Sequence, residues 1–391
     1  MDKQNILELS SKVQTDEITA RINDIFDFTF DGQITENIEV PTFPKEFQIG
    51  LIVGSSGSGK TKILHYCFGD EERIEWDNRK AIASNFSSFD EAAQLFGAVG
   101  LNSIPTWCKP YNVLSNGERF RADMARRLKD NAVIDEFTSV VNREVAISCS
   151  TSISKYIKRS GLKNIVFASC HDDIIPYLDP DWVYSTDEHT FYTGRYLRQP
   201  ITIKAHPCDR SIWAMFKKYH YLSGDLNSSA KCFLGEWNER PIAFVAVLTF
   251  PSAVKNAYRE HRLVVHPDFQ GMGIGNRFSE MIAQAYVEKG CRYFSKTANV
   301  RVGEHRNNSP LWRATSHNNK PRHDYLVNGE INRHMKNRFC MSEEALLKHS
   351  QRVCYTHEYV GDGKKYPFTL DLRIGNSSQV DGQLNFFEEL I

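Results

Sequence analysis

The sequence lacks an excess of charge, a long apolar run and any closely spaced pair of cysteines. Its 48 basic side chains balance 48 acidic ones, so attraction to a polyanion would have to come from a local patch. No run approaches the roughly 18 apolar residues that a membrane span needs, and residues 1–24 lack the apolar core of a secretory signal. We therefore expect a cytoplasmic protein with no membrane partner.

The nine cysteines are scattered and form no C-x-x-C motif, which argues against both a zinc cage and a disulfide framework. A length of 391 residues, with 41% hydrophobic and 25% charged residues, indicates an ordinary globular chain with two domains. Strand patterns alternate with helix patterns, which predicts an α/β fold. The predicted strands include 18–30, 34–43, 47–54, 131–135 and 164–169, followed by a strand-turn-strand over 231–251 and a strand over 261–266. The predicted helices include 60–68, 88–98, 116–129 and 276–289.

The stretch GSSGSGKT, residues 54–61, follows an apolar strand pattern and precedes a helix pattern. This is the context in which glycine-rich backbone amides close around phosphates, a lysine contributes charge and a hydroxyl binds magnesium. We therefore predict that ATP or GTP binds here, with Mg²⁺ on Thr61. The predicted nucleotide ligands are Gly54, Ser55, Gly57, Ser58, Gly59, Lys60 and Thr61.

The stretch NAVIDEF, residues 131–137, supplies the acidic residues that such a site requires. Asp135 is predicted to bind Mg²⁺ and Glu136 to orient an attacking water. His171 ends another apolar strand pattern, at the sheet edge where ligands bind. A structural role for His171 is the alternative to a catalytic one.

The stretch LSNGE, residues 114–118, resembles the LSGGQ signature of ABC ATPases. Together with GSSGSGKT, IDEF and His171 in that order, it identifies residues 18–197 as similar to an ABC-type ATPase domain, preceded by an N-terminal segment, 1–17. The resemblance implies an ATP-dependent homodimer in which Ser115, Gly117 and Glu118 of one chain face the γ-phosphate held by the other. Asn142 departs from the family, which usually has an aspartate there, so communication between the two sites is in question.

A second glycine loop, QGMGIG at 270–275, fails the G-x-G-x-x-G dinucleotide pattern because Asn276 occupies the last glycine position. It resembles instead the acetyl-CoA loop of GNAT acyltransferases, which implies a GNAT-like mixed α/β domain with a C-terminal extension over 198–391. The resemblance implies that two strands splay to admit acetyl-CoA or another acyl-CoA. A glycine-rich turn without a ligand is the alternative. The implied ligands are Val264, Val265, Gln270, Gly271, Met272, Gly273, Ile274, Gly275 and Asn276.

The stretch KKYHYLSG, residues 217–224, offers a base for the acceptor, and we predict His220 and Tyr221 as catalytic residues. A packing role for His220 is the alternative. Its H-Y-L sequence, with the later HRLVVHP, resembles Mom-type phage proteins, GNAT relatives that modify adenine in DNA. That resemblance implies that the acceptor is a nucleobase.

Residues 301–339 carry eight lysines and arginines against three acidic residues, with Trp312 and Tyr325 interleaved. Such a surface suits phosphate neutralisation and base stacking, so we predict that it binds DNA or tRNA. A solvated surface is the alternative. Two other functions stay open: a nucleotide-regulated binding or sensing module with a silent GNAT fold, and acetylation of a small amine or a protein.

Overall fold

The computed structural model describes residues 5–26, 29–193, 201–220, 226–250, 254–321, 326–327, 330–331, 352–362 and 382–385. The chain forms two compact units. The first contains Met1–Trp76 and Arg119–Leu197, and the second contains Asp77–Glu118 and Arg198–Ile391. Each unit is a mixture of strands and helices, so the predicted α/β class is confirmed. The domain boundaries given above stay predictions.

Strands and helices alternate along most of the chain. Up to residue 193 they are β1 (Asn5–Lys12), α1 (Glu17–Phe26), β2 (Gln33–Val40), β3 (Ile49–Val53), α2 (Lys60–Phe68), α3 (Phe89–Ala98), α4 (Ile104–Trp107), α5 (Asn116–Arg127), β4 (Val133–Ile134), α6 (Arg143–Ser160), β5 (Ile165–Ser169), α7 (Ile175–Leu178), β6 (Trp182–Ser185) and β7 (Thr190–Tyr192). From residue 201 they are β8 (Thr202–Cys208), α8 (Trp213–Phe216), β9 (Lys231–Trp237), β10 (Arg240–Thr249), β11 (Ala257–Val265), α9 (Ile274–Glu288), β12 (Arg292–Thr297), α10 (Val300–Asn308), β13 (Trp312–Ala314), β14 (Lys320–Pro321), β15 (Leu326–Val327), β16 (Glu330–Ile331), β17 (Val353–Tyr359) and β18 (Gly382–Asn385).

The first unit is built on a sheet with the order β4-β5-β3-β6-β7 among the described residues. The neighbours from β4 to β6 pair in parallel and β7 is antiparallel to β6. Every residue of β3 and β5 is buried, as their continuous apolar sequences predict. The carboxyl ends of β3, β4 and β5 therefore bring residues 54–61, Asp135 and His171 to one edge of the sheet.

The prediction of a strand over 18–30 is wrong, because residues Glu17–Phe26 form helix α1. The apolar residues Ile18, Ile22 and Ile25 also fit the i, i+4, i+7 spacing of a helix, and local capping decides between the two patterns. The Asp16 carboxylate accepts a hydrogen bond from the Thr19 N–H at 2.9 Å, while the Asp16 N–H donates to the Thr19 hydroxyl at 2.8 Å. This reciprocal pair satisfies two backbone donors at a helix start.

The second unit contains a sheet with the order β13-β17-β12-β11-β10-β9-β8-β18, and β14 also pairs with β17. The predicted strand-turn-strand at 231–251 is confirmed as β9 and β10, and the predicted helix near 276–289 is α9. None of the described helices combines the length and apolar character needed to cross a bilayer.

Strands β11 and β12 separate partway along their length. Their parallel pairing covers Ala257–Arg259 against Arg292–Phe294 and is not continued by the later residues of β11. On its other side β11 pairs with β10, with a register shift in which Ala246 opposes Arg262 and Val247 opposes Glu260. His261 is therefore the extra residue of a β-bulge, which bends the strand. We refer to the place where the two strands part as the fork.

A buried guanidinium lies at the fork. Arg306, on α10, is 1% exposed, and its Nη2 lies 3.1 Å and 3.2 Å from the two carboxylate oxygens of Glu260 on β11. The same nitrogen donates to the Ser279 hydroxyl on α9 at 2.9 Å, and Nη1 donates to the Ser295 hydroxyl on β12. The guanidinium carbon also lies 4.2 Å from the centre of the Trp312 ring. One side chain thus joins both strands of the fork to two helices.

We expect Arg306→Ala to lower the local free energy of opening by about 3–5 kcal/mol, because Glu260 would keep a buried and unpaired charge. Amide hydrogen exchange in β11 and β12 measures this quantity. The control is Arg292→Ala, which removes an exposed side chain paired with Glu358 and should cost about 0–1 kcal/mol. Equal amide protection of β11 and β12 in the two variants would contradict the role assigned to Arg306.

Candidate functional site

The first glycine loop joins β3 to α2. Gly57 and Gly59 have φ angles of 83° and 86°, in the left-handed region that glycine adopts without strain. Because Gly59 directly precedes α2, the first N–H groups of that helix have no intrahelical acceptor and are free to bind an anion. The Lys60 ammonium donates to the carbonyl oxygens of Gly54 at 2.9 Å and Ser55 at 2.5 Å. Amides and a cation therefore converge here, as the phosphates of a nucleotide require.

One carboxylate near this loop was not found by sequence reasoning. Asp187 follows β6, and its carboxylate accepts hydrogen bonds from the Ser55 N–H at 2.7 Å and the Ser55 hydroxyl at 2.8 Å. These hydrogen bonds lower the pKa of Asp187. Thr186 lies beside it, with its hydroxyl 2.5 Å from that of Ser58. The β6 end thus holds the predicted ligands Ser55 and Ser58 in place.

The acidic pair follows β4. Glu136 has a φ of 49° and Thr138 one of 70°, values that are strained for residues with side chains and that cluster at functional sites. The Glu136 N–H donates to the Asp135 carboxylate at 2.8 Å. The Thr138 hydroxyl lies 3.3 Å from Nδ1 of His171. The structure thus brings His171 to the loop that carries Glu136.

Burial lowers the pKa of His171, and the positive charge of Arg143 lowers it further, although the carboxylates of Asp172 and Glu136 act in the opposite sense. The ring is therefore neutral at pH 7 and is able to accept or donate one hydrogen bond. Asn142 caps α6 by accepting a hydrogen bond from the Val145 N–H at 2.9 Å. The departure at Asn142 thus has a structural use as a helix cap.

The predicted magnesium ligands are Thr61, which is exposed at the start of α2, and Asp135. The Asp135 carboxylate lies 3.9 Å from Nε2 of His65, and its N–H donates to Glu71 at 3.2 Å. No group of three or more His, Cys, Asp or Glu among the described residues is arranged to hold a metal. A magnesium ion on Thr61 and Asp135 would take its other ligands from phosphate and water, which is the usual pattern.

The LSNGE stretch forms the start of α5, in the second unit. The Glu118 carboxylate accepts hydrogen bonds from the Ser115 N–H at 2.9 Å and the Ser115 hydroxyl at 3.0 Å. Burial opposes its ionisation, but these bonds, a bond from Thr106 and the charge of Lys109 lower its pKa overall. Ser115 is exposed and Gly117 is partly exposed. The motif therefore presents a hydroxyl and the N-terminal amides of α5.

The second glycine loop joins β11 to α9 and repeats the geometry of the first. Gly271 and Gly273 have φ angles of 93° and 90°, and Gly273 directly precedes α9. A methyl group at Gly275 would lie 3.2 Å from the Val265 side chain, so glycine allows the helix to pack closely on the strand. The Gln270 side-chain amide donates to the Val265 carbonyl at 2.9 Å.

The loop offers a ligand its backbone rather than its side chains. Met272 and Ile274 are 5% and 2% exposed, so their side chains pack into the core. Gly273, Gly275 and Asn276 lie at the helix start, where unpaired N–H groups favour a pyrophosphate. Val264 and Val265 lie on the part of β11 beyond the fork, as the predicted acyl-CoA path requires.

The predicted bases differ in how far the structure describes them. His220 is 9% exposed and its ring packs edge-on against Trp213, with centroids 5.7 Å apart. Tyr221 lies outside the described residues.

Burial and the charges of Arg262 and Arg259 lower the pKa of His261 at the bulge to about 4, so that ring is neutral at pH 7.

Sequence reasoning missed His266, which directly follows β11. Its Nε2 lies 3.3 Å from the Tyr219 hydroxyl, and its Nδ1 lies 3.8 Å from the Asp268 carboxylate. Burial lowers its pKa, although Asp268 acts in the opposite sense. The signal was present as a histidine between an apolar strand and a glycine loop. A tyrosine, a histidine and a carboxylate are thus aligned at the end of β11.

The basic stretch 301–339 is described in part. Arg306 and Trp312 are buried, and Arg313 lies 2.7 Å from the Glu358 carboxylate. Residues 322–325, which include Tyr325, and residues 328–329 and 332–339 lie outside the described part of the chain. The arginine at the fork and its tryptophan are therefore structural groups of the described fold.

Comparison with known protein families gives a match for one part of the chain. Residues 199–307 match the model of the acetyltransferase (GNAT) family. No curated protein of similar sequence was found at a significant level.

Three solved structures illustrate the matches to each part of the chain. The first is a dimeric bacterial ABC transporter cassette, with 16% identity, 40% of this chain and 88% of that chain covered, and a TM-score of 0.31. The second is an IAA acetyltransferase from Bacillus cereus, with 11% identity, 40% and 98% covered, and a TM-score of 0.26. The third is a GNAT family acetyltransferase from Elizabethkingia anophelis with acetyl-CoA bound, with 13% identity, 40% and 94% covered, and a TM-score of 0.24.

At these TM-scores the three structures carry no argument about function. The match to the family model agrees with the forked strands and the glycine loop of the second unit. The C-terminal part of the chain contains a GNAT acetyltransferase domain.

Proposed function

We propose that the protein is an ATP-dependent acyltransferase that moves an acyl group from acetyl-CoA to a nitrogen of a nucleobase in DNA or tRNA. The observation that carries the acyl transfer is the fork between β11 and β12, bordered by the amides of the second glycine loop. The nitrogen attacks the thioester carbonyl, a C–N bond forms and the C–S bond breaks. The nitrogen loses its proton to a base, and the sulfur leaves as the thiolate of coenzyme A and is then protonated.

The backbone beyond the fork supports this chemistry. Amides near Val264 and Val265 would stabilise the negative charge that develops on the carbonyl oxygen, and one such donor is typically worth about 2.7–4 kcal/mol. We propose His220 as the group that accepts the proton from the nitrogen, with Tyr221 next to it in the chain as the second catalytic residue. His266, whose Nε2 lies 3.3 Å from the Tyr219 hydroxyl, is a further base for this step.

Acyl transfer from a thioester needs no phosphoanhydride, so ATP must serve another purpose. We propose that ATP, Mg²⁺, Glu136 and His171 drive closure of a homodimer, with Ser115, Gly117 and Glu118 completing the site in the partner chain. To move closure from about 1% to about 99%, the nucleotide must favour the closed state by roughly 5.5 kcal/mol. Nucleotide bridging two chains is the kind of contact that could supply it.

A second acceptor class is favoured by the burial of Arg306 and Trp312. Both belong to the stretch predicted to bind nucleic acid, and neither is available for phosphate or base contact in the described fold. Acetylation of a small amine or of a protein needs no basic surface. One experiment distinguishes a nucleobase acceptor from a small amine or a protein.

Purified protein incubated with acetyl-CoA, ATP and DNA or tRNA should yield an acetylated nucleoside after digestion and mass spectrometry. Binding of the same nucleic acid should weaken steeply with salt, because bound phosphates release counterions. Thiol release from acetyl-CoA without any modified nucleoside would instead place the acceptor among amines or proteins. No thiol release with any acceptor would support a silent fold with a sensing role.

Gly273→Glu should abolish acetyl-CoA binding, because it places bulk and negative charge at a helix start where φ is 90°. ATP hydrolysis should persist. Isothermal calorimetry with coenzyme A measures the binding. The matched control is Lys289→Glu at the opposite end of α9, which should bind coenzyme A normally, and unchanged affinity in the Gly273 variant would refute the loop assignment.

Lys60→Ala should abolish ATP-dependent dimerisation, because the phosphates lose their cation, and Glu136→Gln should trap the dimer by preventing hydrolysis. Analytical ultracentrifugation with and without ATP measures both effects. The control is Lys62→Ala, an exposed residue of the same helix turn. If the Glu136 variant stays monomeric with ATP, the proposed ATP-driven closure of the homodimer is wrong.

A further inference from the structure

One segment of the chain folds with the acetyltransferase although its sequence lies inside the ATPase-like half. Residues Asp77–Glu118 belong to the second compact unit, whereas the residues on either side belong to the first. We refer to Asp77–Glu118 as the inserted segment. It contains α3 and α4 and ends at the LSNGE motif.

Asn102, in the inserted segment, contacts two elements that border the predicted acyl-CoA path. Its N–H donates to the Gln270 side-chain oxygen at 2.9 Å, and its own side-chain oxygen accepts from Nη1 of Arg301 at 2.7 Å. Gln270 in turn donates to the Val265 carbonyl at 2.9 Å. One residue thus holds both the glycine loop and the first turn of α10, the helix whose Arg306 lies at the fork.

A second contact fixes the same helix. The Arg301 guanidinium lies against the last turn of α3, so closely that any side chain at Gly97 would collide with it. The carbonyl groups at a helix C-terminus carry partial negative charge, which attracts a cation. Gly97 is therefore required by the close approach of Arg301. The last turn of α3 thus contacts the first turn of α10.

The other end of the inserted segment reaches the LSNGE motif. The Thr106 hydroxyl on α4 donates to the Glu118 carboxylate at 2.8 Å, and Glu118 accepts from the Ser115 N–H at 2.9 Å. On the far side of α4, the Trp107 indole N–H donates to the Leu101 carbonyl at 2.6 Å, next to Asn102. A continuous set of hydrogen bonds and one short helix therefore connects Ser115 to Gln270.

We propose that the inserted segment positions the acetyl-CoA loop, with Asn102 and Thr106 as positioning residues, so that nucleotide at Ser115 and Gly117 changes the affinity for acetyl-CoA. The proposal rests on the function proposed above and names its regulation. Such coupling is reciprocal, so acetyl-CoA must change the affinity for ATP by the same factor. Each ligand would thus report on the other without touching it.

The test uses the full-length Glu136→Gln protein, which holds ATP without hydrolysing it. Calorimetry gives the dissociation constant of acetyl-CoA with and without saturating ATP, and we expect a change of about fivefold or more. Thr106→Val removes the bond to Glu118, and Asn102→Ala removes the bond from Arg301. In each variant the ratio of the two constants should fall toward one while both ligands still bind.

The matched control is Asp90→Asn, an exposed substitution on α3, which should keep the full ratio. A melting curve for each variant shows whether it folds. The two substitutions lie at different ends of the inserted segment, so if one variant does not fold, the other still tests the proposal. A purely structural role would lower the melting temperature and leave the ratio unchanged.

Three outcomes would overturn the proposal in distinguishable ways. If acetyl-CoA does not bind the unsubstituted chain, the proposed acyl transfer fails and the coupling fails with it. If acetyl-CoA binds equally well with and without ATP, the coupling is wrong and the acyl transfer stands. If the ratio is undiminished in both Thr106→Val and Asn102→Ala, the inserted segment is not the route.

Discussion

The acetyltransferase domain depends on one buried positive charge at the place where two strands part. A sheet normally stays paired because unpaired backbone groups in the interior are costly. At the fork, the Arg306 guanidinium bonds to side chains of both strands, Glu260 and Ser295, and so ties together strands that no longer pair with each other. Burying this charge is tolerable because Glu260 neutralises it and the Ser279 hydroxyl accepts a further bond.

The two glycine loops have the same backbone geometry, although one is in the first unit and the other in the second. Each follows a strand, each places a glycine with φ near 90° directly before a helix, and each leaves the first amides of that helix available. A side chain at Gly59 or Gly273 would strain the backbone where it must approach an anion closely. The loops differ in their charge. The first adds the Lys60 ammonium, whereas the second adds the uncharged Gln270, which is used to fix the loop to β11.

Sequence reasoning found what depends on neighbours in the chain. Glycine, strand and helix patterns located both loops, β9 to β11 and α9, because each of these follows from local spacing. It failed at α1, where apolar residues fit two periods and the contacts between Asp16 and Thr19 decide. It also missed His266 and the role of Arg306, because Tyr219, which contacts His266, and Glu260, which contacts Arg306, lie more than 40 residues away in the sequence. The charge count over 301–339 could not reveal that one of its arginines is buried.

The arrangement of the inserted segment has a consequence for how such a chain is inherited. The second unit is made from two stretches of sequence, and Arg119–Leu197 of the first unit lies between them. A single genetic crossover between the halves, near residue 198, would separate α3 and α4 from the rest of the unit to which they belong. Exchanging the second unit for another module would therefore require two separate stretches of sequence to be replaced together.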